Sequence, residues 1–141
     1  MRGPVVLALC TSLGTLSSAV AAADNAFTGA FQGTGRACSG ALYVRAKTIE
    51  WNSSYSICKS SYYEILQKKF DGELERIVFR LQNRSSRCRY SVVEVERAGS
   101  DNWNVSGYQS LQGFQKRDLP EWRNSPLPER QILSCLMTGP D

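Results

Sequence analysis

Apolar and polar residues alternate in short segments along this chain, and a period of two predicts β-strands. In residues 75–82, Ile77, Phe79 and Leu81 share one parity, while mainly polar side chains occupy the other. Similar runs, separated by glycine, proline and small polar residues, occur at 27–35, 41–45, 48–51, 55–58, 61–68, 87–96, 103–108 and 131–137. Only the run 61–68 also suits a helical turn. Seven to eight short strands predict an all-β fold, a small antiparallel barrel or sandwich.

The first of these runs favours the barrel over the sandwich. Its glycines at 29, 33 and 35 are typical of a strand that bends a sheet towards closure. The pattern Phe27-x-Gly29-x-Phe31-x-Gly33 is similar to the first strand of small lipocalin-like barrels. That resemblance covers residues 27–33 and implies a barrel able to carry a small hydrophobic ligand.

The polar segment 83–86 predicts a four-residue connection between two strands of a hairpin. In the register that this loop sets, Gln82 faces Arg87, and three apolar pairs follow on one face. The predicted pairs are Leu81 with Cys88, Phe79 with Tyr90, and Ile77 with Val92. Apolar matches at successive pairs are typical of a correct register.

The same register places Arg80 opposite Arg89 on the other face of the hairpin, with Arg76 on that face as well. Like charges directly opposite each other are unfavourable in a sheet. Carboxylates of a neighbouring strand or solvent can offset them, and so can an acidic protein surface or a surface polyanion. The three arginines are therefore candidate binding residues. The net charge of +4 gives little support to nucleic-acid binding.

Tryptophan and tyrosine positions give further candidates. Trp122 lies between Pro120 and Pro126 in a long loop, where it can anchor a partner or fold back to cap the core. Trp51 and Trp103 fall in strand-like runs and are predicted to be core residues. Four tyrosines can line a ligand pocket inside a barrel. They are Tyr55, Tyr62, Tyr63 and Tyr108.

Residues 1–23 have the three-part layout of a secretory signal peptide. A positive charge at Arg2 precedes an apolar run, which closes on the small residues 19–23. Threonine, serine and glycine dilute the run too much for a membrane span. The sequence thus predicts a periplasmic or secreted protein with one domain, residues 24–141, and no transmembrane anchor. Cys10 leaves with the leader, although lipid attachment at Cys10 is an alternative.

Four cysteines remain in the exported chain, and an even number in an oxidising compartment predicts two disulfides. They are Cys38, Cys58, Cys88 and Cys135. Of the three possible connectivities we expect Cys38–Cys58 with Cys88–Cys135, because sequential pairing closes local loops. No C-x-x-C spacing and no histidine is present, so no metal site and no cofactor are predicted.

The absence of histidine also excludes histidine-dependent triads and general bases. Glu94 and Glu96 share a parity, but we expect both to emerge into solvent at the sheet edge rather than form an acid–base pair. The sequence therefore predicts a non-enzymatic, exported binding protein, inhibitor- or immunity-like, that engages a protein or an anionic surface. A lipocalin-like carrier of a small hydrophobic ligand is the alternative. The oligomeric state stays open.

Overall fold

The computed structural model describes Gly3 and residues 26–126 and 132–140, and the two longer ranges contain a closed, eight-stranded antiparallel barrel. The predicted barrel of seven to eight strands is confirmed. Two short helices, α1 (Leu111–Gln115) and α2 (Pro120–Arg123), connect the last two strands. The strands are β1 (Gly29–Gly33), β2 (Gly40–Val44), β3 (Thr48–Ser53), β4 (Ile57–Phe70), β5 (Glu75–Leu81), β6 (Val92–Arg97), β7 (Asn102–Tyr108) and β8 (Ile132–Thr138). The predicted leader lies outside the described residues, apart from Gly3.

Each strand pairs with its neighbour in sequence, and β1 closes the barrel on β8 through Gln32 with Thr138 and Gly33 with Met137. Connections therefore alternate between the two ends of the barrel. We call the end with the β1–β2, β3–β4, β5–β6 and β7–β8 connections the upper end, and the other the lower end. Gly33 permits the tight turn into β2, since a side chain there would collide with the Cys38 carbonyl.

Large aromatic side chains fill the described interior. Near the upper end, the Trp51 ring stacks on Tyr90 with centroids 4.9 Å apart. Near the lower end, four rings lie within 5.5 to 6.4 Å of their neighbours: Phe27, Phe31, Phe79 and Trp103. Trp51 and Trp103 are both buried, which confirms their predicted place in the core. Removing rings of this size from water is a major source of stability for so small a domain.

The register predicted for the β5–β6 hairpin is wrong by three residues. Phe79 pairs with Val93 and Ile77 with Val95, and the connection runs through residues 82–91 rather than four residues. Cys88 and Tyr90 are buried, as expected of inward positions, but they belong to a loop that folds over the upper end of the barrel. Because the shift is an odd number, β6 presents the opposite face: Val93 and Val95 point inward.

The predicted disulfide pairing is also wrong. Cys38 bonds to Cys135 across the β1–β8 closure, and Cys58 of β4 bonds to Cys88 in the β5–β6 loop. Barrel closure brings β8 beside the end of β1, so two cysteines 97 positions apart become neighbours. Sequential pairing fails because proximity here depends on strand order around the barrel, not on distance along the chain.

Two runs predicted as separate elements, 55–58 and 61–68, form the single 14-residue strand β4. A β-bulge between Ile65 and Gln67 interrupts its pairing with β5. The structure therefore excludes the helical alternative for this segment. Helix α1 was not predicted; it begins after Ser110, whose Oγ accepts a hydrogen bond from the Gly113 amide at 2.9 Å.

Helix α1 creates a second small core on the outside of the barrel. Phe114 packs edge-on against Tyr108, with ring centroids 5.3 Å apart, and both belong to one buried cluster with the outward-facing Val78 and Val92. Tyr108 therefore lies outside the barrel wall, Tyr55 and Tyr62 are exposed, and Tyr63 packs on Phe79 near the lower end. The four tyrosines do not line a common pocket.

We expect Gly107→Ala to destabilise the fold by about 1 to 3 kcal/mol, because a methyl group there overpacks the core. A Cβ at Gly107 would lie 2.7 Å from the Tyr90 ring and 2.9 Å from Trp51. Urea unfolding of both proteins measures the loss. The matched control is Gly99→Ala, where the nearest atom is an ordinary 3.5 Å away. Equal midpoints for the two variants would contradict the close packing of the loop.

Candidate functional site

The three arginines predicted to form one binding face are dispersed. Arg80 is exposed on β5 and pairs with Val92 on one side and Glu64 on the other, so the predicted opposition of Arg80 and Arg89 is wrong. Arg76, also on β5, is partly buried, with its Nη1 4.0 Å from Oε2 of Glu94. Arg89 lies in the β5–β6 loop at the upper end. The cause is the three-residue register shift, which removes Arg89 from the strand.

A different set of basic residues is brought together at the upper end. The β5–β6 loop exposes Arg84, Arg87 and Arg89, and Lys59 of β4 lies beside the same loop. Tyr55, in the adjoining β3–β4 turn, is 57% exposed. We call Tyr55, Lys59, Arg84, Arg87 and Arg89 the arginine patch. A loop that presents several cations and an aromatic ring is a candidate surface for an anionic partner.

Backbone contacts and a disulfide fix the loop that carries this patch. The Ile57 amide donates to the Arg87 carbonyl at 3.1 Å, and the Arg89 amide donates to Ser56 Oγ at 2.9 Å. Ser85 Oγ accepts from the Lys59 amide at 3.2 Å and lies 3.0 Å from the Ile57 carbonyl, to which it donates. The Cys58–Cys88 bond closes the same junction covalently. The backbones of Arg87 and Arg89 are therefore held in place before any partner binds.

The patch has few anionic neighbours. The upper-end segments 34–39, 53–56 and 82–91 contain no aspartate or glutamate, and at that end the described acidic residues are Asp118 and Glu121 of the β7–β8 connection. None of the five ion pairs formed within residues 26–126 and 132–140 includes a residue of the arginine patch. The positive charge of this surface is thus left to solvent or to a partner.

A groove borders the patch on the outer side of β3 and β4. It has a volume of about 580 Å³ and is open to solvent. Its lining residues are Ser39, Glu50, Asn52, Ser53, Ser54, Ile57 and Lys59. Lys59 belongs to both features, so a partner seated on the arginine patch can extend side chains into this groove. Because it is so open to solvent, it does not suit the enclosure of an apolar ligand.

Glu94 forms a second charged cluster, under α1 on the outer face of the barrel. The expectation that it emerges into solvent is wrong: it is only 9% exposed. Its Oε2 lies 3.7 Å from Arg117 Nε and 4.0 Å from Arg76 Nη1. The Arg117 guanidinium also lies 3.9 Å from the centre of the Phe114 ring. These contacts connect the chain after α1 to the barrel wall, which favours a structural role.

Burial shifts the pKa values of two side chains in this region, Glu94 and Tyr108. Desolvation raises the pKa of Glu94 above its ordinary value, and the cations of Arg117 and Arg76 only partly oppose that effect. Glu94 Oε2 accepts no hydrogen bond from the described residues, which is consistent with a poorly solvated carboxylate. Burial, together with the nearby Glu94 charge, also raises the pKa of Tyr108 far above its usual range.

Trp122 lies in α2, where its half-buried ring packs against α1. A side chain at Gly113 of α1 would come within 3.4 Å of the ring, so the two helices touch at this point. The ring also borders a depression of about 230 Å³ together with Lys116, Leu119, Glu121 and Ser125. Of the two predicted alternatives, Trp122 folds back, although onto α1 rather than onto the interior of the barrel. Its role as a partner anchor stays a prediction.

No group of three or more histidine, cysteine, aspartate or glutamate side chains within the described ranges is arranged to hold a metal ion. Neither α1 nor α2, the helices of the described chain, has the length or apolar character needed to cross a bilayer. The geometry defines a class by its architecture, an eight-stranded antiparallel barrel with two disulfides. Comparison with protein-family models, with curated proteins and with solved structures gives no match to this chain.

The candidate binding residues predicted from the sequence did not include Arg84, Arg87 or Lys59. The signal was available in composition: segments 82–91 and 53–60 together hold four cations and no acidic residue. What the sequence could not supply is that a disulfide joins these two segments. Glu94 carries no such signal, because its burial depends on the register of β6 and on the unpredicted α1.

We expect Glu94→Gln to flatten the pH dependence of stability. The raised pKa means that the folded state retains the proton at pH values where the unfolded state has lost it. Wild-type stability therefore falls as pH rises from the ordinary value of 4.5 through the raised value. Glutamine does not titrate, so this component is absent from the variant. Urea midpoints from about pH 4 to about pH 7 measure it.

The control is Glu73→Gln, which makes the same substitution at an exposed carboxyl of the β4–β5 turn. An unaltered slope in Glu94→Gln would show that Glu94 titrates alike in the folded and unfolded states.

Proposed function

We propose that this protein is an exported, non-enzymatic binding protein that engages the acidic face of a protein partner through the arginine patch. The observation that carries the proposal is a covalently tied loop that exposes three arginines with no acidic side chain in the loop itself. Arginine and tyrosine are enriched among residues that dominate protein interfaces. Their combination in the patch favours a protein partner over an unstructured polyanion, which needs cations but no fixed arrangement of them.

The two disulfides support an exported location, because such bonds persist in oxidising compartments. In that setting the predicted leader, residues 1–23, directs export and is removed. Loss of Arg2 with the leader lowers the net charge from +4 to +3. With so modest a total, local clustering of the cations matters more than overall charge.

The packing of the barrel gives no support to the alternative, a carrier of a small hydrophobic ligand. Trp51 and Tyr90 stack where the upper half of a ligand cavity would lie, and Phe31, Phe79 and Trp103 occupy the lower half. A ligand would have to displace rings that are already in contact. An inhibitor- or immunity-like role suits a filled barrel that presents a preformed loop.

The proposal is tested by reversing charges in the patch. The immobilised domain is used to capture proteins from an extract of exported proteins, and the bound set is quantified for wild type and for Arg84→Glu/Arg89→Glu. We expect one acidic partner to bind the wild type and to lose at least about tenfold in affinity with the double variant, since two attractive contacts become repulsive. The association rate should also fall as salt is added.

The matched control is Arg45→Glu/Lys47→Glu, which changes net charge equally but at the β2–β3 turn of the lower end. It should capture the same partner as the wild type. A partner retained by the patch variant would refute the proposal. A heparin column tests whether the partner is a polysaccharide. Retention of the wild type on heparin, with no protein captured, would assign the patch to a sulfated polysaccharide instead.

A further inference from the structure

Strand β4 has an unpaired edge near the lower end. Its pairing with β3 ends at Tyr62, whereas its pairing with β5 continues to Phe70. From Glu64 to Phe70, therefore, one side of β4 carries backbone groups with no strand of the described chain against them. An open edge is a template for the addition of another strand.

Apolar side chains are exposed along this edge. Ile65 is 45% and Phe70 is 40% exposed, although both have the parity that faces the barrel interior. Lys68 shares that face, and its Nζ lies 5.8 Å from the centre of the Phe70 ring. A large apolar side chain on an open edge indicates a contact surface, and Ile65 is such a residue, whereas the Phe70 ring is already partly covered by Phe27 at a centroid distance of 5.7 Å.

The β-bulge gives the edge a symmetrical arrangement of faces. Glu64 and Lys69 pair with outward positions of β5, while Ile65 and Lys68 pair with inward ones. Between them, Leu66 packs in the outer core and Gln67 pairs with the outward Val78. From residue 64 to residue 69 the side chains therefore face outward, inward, outward, outward, inward and outward. This order is the same in both directions along the chain.

A palindromic order of faces allows one register of antiparallel pairing between two identical edges. Opposed residues in an antiparallel pair must share a face, so the two-fold axis passes between Leu66 and Gln67. Glu64 of one copy then lies opposite Lys69 of the other, and Ile65 lies opposite the aliphatic part of Lys68. Two Glu64–Lys69 pairs form by symmetry, and each joins opposite charges.

We propose that the β4 edge, residues 64–70, is the interface of a homodimer in which two copies pair antiparallel about the Leu66–Gln67 axis. Lysines and a bulge on an edge also protect it against indiscriminate strand addition. A second copy of the chain complements this edge, because Glu64 of one copy lies opposite Lys69 of the other. The exposed ion pair of Lys69 with Asp71, at 3.5 Å, is a weak competitor.

Charge exchange between two variants tests the proposal. Sedimentation over a dilution series should show reversible dimerisation of the wild type. Glu64→Lys and Lys69→Glu should each weaken it by about tenfold or more, since both symmetrical pairs become repulsive. An equimolar mixture of the two variants should recover the wild-type association, and so should the double variant Glu64→Lys/Lys69→Glu, because opposite charges again face each other.

The controls are Glu121→Lys and Lys116→Glu, which make the same charge changes at exposed positions of the β7–β8 connection and should dimerise like the wild type. Circular dichroism confirms that every variant is folded. A wild type that stays monomeric up to its solubility limit would refute the proposal, as would a mixture of the two variants that fails to recover association. Recovery in the mixture is the result that a general effect on folding cannot produce.

Discussion

Tyr90 lies flat on Trp51 inside the barrel, and the arrangement of the upper end depends on this contact. Gly107 makes room for the two rings, since any side chain there would collide with both. With Tyr90 drawn inward, the β5–β6 loop must cross the barrel mouth, which brings Cys88 to Cys58 and sets the arginine backbones against β4. The position of the candidate binding surface therefore depends on a buried aromatic pair. The disulfide holds the loop in the position that this packing sets.

The same loop decides what lies on the outside of the barrel. Because it takes up more residues than a tight hairpin would, β6 enters the sheet three positions later than its alternation suggests. Val92 and Glu94 then face outward, next to Val78 and Arg76 of β5. An apolar patch is unfavourable in contact with water, and a buried carboxylate needs a positive charge beside it. Phe114 of α1 covers the patch, and Arg117 places its guanidinium near Glu94. Helix α1 is thus a consequence of the register.

Sequence patterns predicted the barrel, the core tryptophans and most strands, because alternation and β-propensity are local properties. They failed where a contact depends on the closed sheet. Cys38 and Cys135 are neighbours only after β1 meets β8, and Glu94 is buried only after a helix covers it. The hairpin register failed for a different reason: Cys88 and Tyr90 are truly buried, so the apolar match was real but belonged to a loop. Of the candidate site, Arg89 was among the predicted binding residues, but the sequence placed it on a strand opposite Arg80, whereas its place in the loop and its neighbours there depend on the Cys58–Cys88 junction.

The direction of the chain through the barrel has a practical consequence. Strand β1 begins and strand β8 ends at the lower end of the barrel, opposite the arginine patch. At that end Phe27 packs on Trp103, and the Trp103 indole N–H donates a hydrogen bond to the Pro140 carbonyl. Anything joined before residue 26 or after residue 140, whether a tether, a tag or a fused domain, therefore emerges about a barrel's length from the β5–β6 loop. Attachment to a surface through either terminus would orient the molecule with the arginine patch facing away from that surface.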